Sequence, residues 1–170
     1  VKTLAEDHDA VLIFDEVSCG WRISIGGAQE HLGVTPDMSV FAKQMSNGYP
    51  MGAVVGSRRV MEPAGRMFIS SSYWSDNIGL AASIATIREL KRRNSTARFK
   101  EIGEDLKNAL NEAIESVGIA ARCGGLHTHP AIEFDLPNPS IGPKVKTLFV
   151  QEMARRGVHC STSFCLLYTS

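Results

Sequence analysis

The chain has no apolar run near the roughly 18 residues that a membrane-spanning helix needs. It has no charge of one sign to spare: 18 Lys and Arg face 18 Asp and Glu, so no net field draws it to nucleic acid or to an anionic membrane. It has no internal repeat and no low-complexity linker, which excludes solenoid arrays. Its four cysteines, Cys19, Cys123, Cys160 and Cys165, form no CxxC pair. That spacing favours reduced thiols and a cytoplasmic protein over a disulfide framework. Val1-Lys2-Thr3-Leu4 has the character of neither a signal nor a transit peptide. With Val rather than Met at position 1, the expectation is a piece of a longer chain. What is present is an ordinary globular balance over 170 residues, 44% hydrophobic and 21% charged. That suits one domain or parts of two.

The first half reads as strands. Ala10-Val11-Leu12-Ile13-Phe14 is a continuous apolar run ending in Asp15-Glu16, the pattern of a strand buried on both faces in a parallel sheet. Met38 to Ala42, ending at Lys43, is a second apolar segment, and Gly52 to Gly56 a third. Nearby glycines mark tight turns or close backbone approaches. The second half reads as helices. Ser75 or Asp76 can cap a helix running to about Arg93, with Lys91-Arg92-Arg93 where cations suit the helix dipole. Ser95 can cap another, in which Phe99, Ile102, Leu106, Leu110, Ala113, Ile114 and Val117 recur at helical spacing before Gly118. Ala131 to Phe134 alternates like a strand. Pro143 can open a third helix that Gly157 ends. The expected division is residues 1–88 and residues 89–170.

The stretch from 12 to 56 carries the chemistry. It reads Leu-Ile-Phe-Asp-Glu-Val at 12–17, Gly20-Trp21-Arg22, Gly-Gly-Ala-Gln-Glu at 26–30, Gly33-Val34-Thr35-Pro36-Asp37, Ala42-Lys43, and Asn-Gly-Tyr-Pro-Met-Gly-Ala at 47–53. This series resembles the class III (ω-type) aminotransferases, and within them the glutamate-1-semialdehyde aminomutase-like branch. The family pattern is an apolar strand ending in Asp-Glu-Val, a Gly-aromatic-Arg, a Gly-Val-x-Pro-Asp, a lysine before a glycine-containing turn, and Pro-x-Gly-Ala. All of these occur here, in order.

The resemblance implies an α/β protein of the pyridoxal phosphate (PLP)-dependent fold type I. Residues 1–88 would be the rear of its large mixed-sheet domain, and 89–170 an incomplete α+β small domain. PLP needs a lysine amine for a Schiff base and a carboxylate facing its pyridine nitrogen, so that the ring serves as an electron sink. By resemblance Lys43 is that lysine and Asp15 that carboxylate, placed at a strand end where open α/β sheets put ligand groups. Val17, two residues on along an extended chain, packs by resemblance against the ring. In the Ser70–Ser75 run, Ser72 matches by position a family threonine that reaches the cofactor phosphate of the neighbouring subunit, and Ser71 is the alternative. The implied activity is transfer of an amino group between an amino compound and a 2-oxo acid or aldehyde, by a homodimer with shared sites. Migration of the amino group within one molecule is the second possibility, and a non-catalytic fragment without the upstream cofactor elements the third.

Several features depart from the pattern or invite other readings. Consecutive glycines after the lysine are replaced by Gln44-Met45-Ser46-Asn47-Gly48, and Ser18 stands where many members carry a longer polar side chain. Asp15-Glu16 after an apolar strand also matches a Walker B motif, but that reading requires a GxxxxGK[ST] loop and the chain has none. Cys123, His127, His129, His159 and Cys160 fit no standard zinc spacing. The closing Cys165-Leu166-Leu167-Tyr168-Thr169-Ser170 does not suit a natural domain end and reads as a chain truncated or extended by foreign sequence.

Overall fold

A computed structural model of the chain describes residues 1–162; the closing segment from Cys165 lies outside them. The chain divides into two compact units, Val1–Thr96 and Ala97–Ser170.

The first unit is built on a three-stranded sheet of order β1-β2-β3, with β1 at Ile13–Asp15, β2 at Met38–Phe41 and β3 at Ala53–Gly56. β1 and β2 are parallel, with Ile13 opposite Met38 and Asp15 opposite Val40. β3 turns back antiparallel to β2, so the sheet is mixed. The crossover between the parallel strands carries helix α2 (Gly27–Leu32), as a parallel pair requires. Helices α1 (Lys2–Asp7), α3 (Arg58–Met61) and α4 (Asn77–Arg92) complete the unit. Of the two candidate caps, Asp76 is the one used: its Oδ1 accepts the Ile78 N–H at 2.8 Å. At the far end of α4 the Glu89 carboxylate accepts hydrogen bonds from Arg92 and Arg93, which hold it down at about 2.

The apolar run at 10–14 was expected to be covered on both faces, yet Val11 is 44% and Ile13 52% exposed. The reason is position: β1 is the edge of the sheet, and no described strand pairs with its outer side. Asp37 ties the starts of β1 and β2 together. Its Oδ2 accepts the Leu12 N–H at 3.0 Å, while Oδ1 lies 3.0 Å from Lys2 Nζ and 3.5 Å from Arg59. The Leu12 N–H first, then the Lys2 ammonium, hold this carboxyl below the usual aspartate range.

The second unit packs α5 (Ser95–Val117) and α6 (Gly142–Arg155) with an antiparallel hairpin of β4 (Ala121–Leu126) and β5 (His129–Phe134). Ile114, Cys123 and Ile132 form its buried centre, with Leu110, Phe134 and Phe149 packed against them. The helix docks on the hairpin through polar contacts as well. Asn111 Nδ2 donates to Cys123 O at 3.0 Å, and Asn111 Oδ1 accepts the Cys123 N–H at 2.8 Å. On the other strand the Ile132 N–H donates to Thr162 O at 2.7 Å. Gly103 lets α5 approach the hairpin turn: a Cβ built there would lie 1.9 Å from His127 O.

Candidate functional site

The parallel pair β1 and β2 brings two functional groups to its C-terminal edge. Asp15 is the last residue of β1, and Lys43 follows β2 by two positions. The chain leaves the extended conformation directly after Asp15 and turns over residues 17–20. The Asp15 carboxylate helps fold it, with Oδ1 accepting the Val17 N–H at 3.0 Å. Alternation along an extended chain, the basis for placing Val17 beside Asp15, therefore stops at the strand end. Asp15 Oδ2 has no hydrogen-bond partner among the described residues.

The turn is braced from below by Glu16, whose side chain is fully buried. A buried carboxylate is costly unless hydrogen-bonded. Here its oxygens accept the Ala28 N–H at 2.9 Å and the Gln29 N–H at 3.0 Å, two of the free donors of the first turn of α2. Glu16 O accepts the Gly20 N–H at 2.8 Å, closing the turn. Gly20 has no room for a side chain: a Cβ would lie 2.8 Å from both Glu16 O and the Phe41 ring. The Phe41 ring in turn packs against Trp21, with ring centroids 4.8 Å apart. Cys19 sits in the same turn. Burial first, then the Glu16 and Asp15 carboxylates, push its thiol up, so it is protonated and a poor nucleophile at neutral pH.

Lys43 opens a short 3-10 turn, Lys43–Met45, with φ of 42° in the left-handed region. Buried neighbours fix this backbone: Gln44 is 7% and Ser46 1% exposed, and Ser46 Oγ donates to Tyr49 O. The Lys43 side chain reaches back across the sheet edge, and Nζ donates to Ser18 Oγ at 2.7 Å. The structure thus joins Lys43 to the turn that begins at Asp15. It does not bring Ser71 or Ser72 there. Both lie in an exposed loop before α4, and Ser71 lines a separate cavity of about 370 Å³ with Pro50, Met51, Tyr73 and Trp74. Sequence reasoning missed the contact of Ser18 and the bracing role of Glu16. Neither has a periodicity signal, and each depends on a partner more than ten residues away.

An amine and an open carboxylate at the ends of neighbouring parallel strands stand where open α/β sheets bind ligands. The amine can condense with an aldehyde, and the carboxylate can pair with a protonated ring nitrogen. Among the described residues no group of three or more His, Cys, Asp and Glu is placed to hold a metal ion. No described helix is long and apolar enough to cross a membrane.

Comparison with known proteins gives a consistent picture. The pattern of the family described as aminotransferase class-III matches residues 1–164. A 3-aminobutyryl-CoA aminotransferase from Cloacimonas acidaminovorans is 33% identical over 93% of this chain and 38% of its own length. A glutamate-1-semialdehyde 2,1-aminomutase from Methanococcoides burtonii is 34% identical over 74% of this chain and 31% of its own. Among solved structures, the FumI protein of Sphingopyxis sp. MTA144 in its PLP internal aldimine form superposes with a TM-score of 0.84. It is 25% identical over 95% of this chain and 38% of that one. The chain thus spans less than half the length of the relatives it matches.

Proposed function

The chain belongs to the class III aminotransferase family, and on that premise we propose that it supplies the lysine and the carboxylate of a PLP site that moves an amino group between an amino compound and a 2-oxo acid or aldehyde. The architecture is part of the fold type I arrangement of PLP-dependent transaminases. The donor set fits the cofactor: a primary amine for its aldehyde and a carboxylate with one open oxygen for its ring nitrogen; that Val17 covers a ring face rests on the family resemblance alone. When bound, PLP supplies an electron sink for the pair left behind as the substrate Cα–H bond breaks. In this reading Lys43 Nζ would hold the cofactor through its aldehyde, and as a free amine would carry the proton to and from the substrate carbon. Asp15 keeps the ring nitrogen protonated. Ser72, or Ser71 beside it, donates to the phosphate held by a second copy of the chain, so the working form is a homodimer with shared sites. We place it in the cytoplasm.

The single observation that carries the reading is the Lys43 amine, held by Ser18 over the turn that starts at Asp15. The aminomutase relative supports a second reading, in which donor and acceptor carbons belong to one molecule. The test of the site is borohydride reduction of the PLP-loaded intact protein followed by peptide mapping. The expected label is on Lys43; a label on Lys2, Lys91 or another lysine refutes the assignment.

A further inference from the structure

We propose that Ser18 is the positioning residue for the Lys43 amine, fixing Nζ at the end of β1 through the hydrogen bond of 2.7 Å that joins the two side chains. The inference rests on the reading of Lys43 as the cofactor-bonding amine. Its ground is that both ends of the contact are anchored while the span between them is not. At one end, Ser18 lies in the turn held by the Asp15–Val17 bond, by Gly20 N–H on Glu16 O, and by the Glu16 carboxylate on α2. At the other end, the Lys43 backbone is set in its left-handed conformation by the buried Gln44 and Ser46 and by the Ser46 N–H bond to Lys43 O. Between them runs the lysine stem, whose four methylene rotors are free in solvent and costly to order. Lys43 is exposed, so packing does not fix its tip, and no described carboxylate pairs with it. The Ser18 hydroxyl is its one hydrogen-bond partner among the described residues.

The chemistry of a serine suits this task better than a carboxylate would. The hydroxyl oxygen accepts a hydrogen from Nζ without pairing it as a salt bridge. The amine is therefore aimed yet still free to leave for an aldehyde carbon. The serine O–H remains available as a donor to whatever oxygen or nitrogen sits at the strand ends. The contact spans 25 residues of sequence, so it also fixes the spacing of the turn after β1 relative to that after β2.

The experiment compares the intact protein with Ser18→Ala and Ser18→Thr, each stripped of PLP. Lys43 acetylation by acetic anhydride is timed by mass spectrometry, with Lys91 in the same sample as reference. PLP capture at Lys43 is timed separately by borohydride quenching. Loss of one hydrogen bond predicts that Ser18→Ala acetylates Lys43 about 3- to 10-fold faster and captures PLP slower by a similar factor. Ser18→Thr, which keeps the hydroxyl, should match the wild type in both. A role confined to folding would not be rescued by Thr while the melting temperature stays constant. If the Ala variant melts lower, Ser18→Val against Ser18→Thr repeats the comparison with shape conserved. Equal Lys43 rates in wild type and Ala, or a Thr variant that behaves like Ala, overturn the proposal. Acetylation that responds to residue 18 while PLP is captured on another lysine overturns the cofactor reading, and the role of Ser18 with it.

Discussion

Gly103 offers a case in which propensity and packing give opposite signs. It is buried in the interior of α5, where replacing Gly by Ala ordinarily stabilises a helix by about 1 kcal/mol. The surroundings argue otherwise. A Cβ at this position would stand 1.9 Å from His127 O, 2.6 Å from its carbonyl carbon and 2.9 Å from its Cα. Carbon contacts become comfortable only at about 3.5–4.0 Å, so α5 and the turn would have to part by roughly 1.5 Å. The obstacle is backbone, which cannot swing away as a side chain tip can. His127 and Thr128 are themselves buried between the paired strands β4 and β5. Overpacking of this kind costs about 1–3 kcal/mol or more, and the upper end outweighs the helix gain. The expected net loss for Gly103→Ala is about 1–2 kcal/mol, read as a fall of roughly 2–4 °C in melting temperature per kcal/mol. Separation of the helix should also loosen the Asn111 bonds to Cys123, two turns further along. Hydrogen exchange of residues 121–134 is then faster in the variant. Asp105→Ala, on an exposed position of the same helix, is the control and keeps its exchange rates. A Gly103→Ala protein with a raised melting temperature and unchanged exchange in the hairpin would refute the packing argument.

Asp15→Asn should leave circular dichroism unchanged and lower amino transfer by about 100- to 1000-fold, the usual scale for losing one electrostatic contact to the reacting centre; near-normal turnover counts against the carboxylate's role. Asp37 contributes stability that depends on pH. Its folded value is depressed, so the contribution is fully present above the unfolded aspartate value of about 3.9 and is lost as pH falls through the lower folded value. The melting-temperature gap between wild type and Asp37→Asn should be widest at neutral pH and close below it in that acid window, whereas a constant gap contradicts the linkage. Phe68 is 95% and Trp74 68% exposed, an apolar loop of the kind that self-association covers. Sedimentation of the intact protein should give a dimer, and Phe68→Asp with Trp74→Asp should shift it toward monomer.

The parts of the fold that were legible in the sequence are those set by local pattern. The apolar segments before Asp15, before Lys43 and after Gly52 mark β1, β2 and β3, and Asp76 and Pro143 stand at the starts of α4 and α6. β4 was not legible. Its Arg122, Gly124 and Gly125 have little strand character, and Gly125 has φ of 83°; the strand exists because β5 folds back on it. The boundaries of α1 and α2 were also silent, since six residues give too short a window for helical periodicity. At the site, the motif pointed to Lys43 and Asp15 as residue types in order. It could not give the Ser18 contact, nor that Glu16 turns inward to grip α2 while Asp15 stays at the edge. Both are tertiary facts, decided by which turn meets which helix end.

The polar docking of α5 has a consequence for solubility and register. A two-stranded hairpin leaves two outer edges, each a template for pairing with a foreign chain. Cys123 and Ile132 sit opposite one another, and at this rung three of the four outward backbone groups are already engaged. Asn111 takes both groups of Cys123, while Thr162 takes the Ile132 N–H. One side-chain amide therefore stands in for a third strand one residue long. An intruding strand would have to evict it, and the helix could not slide by a residue without breaking both bonds at once.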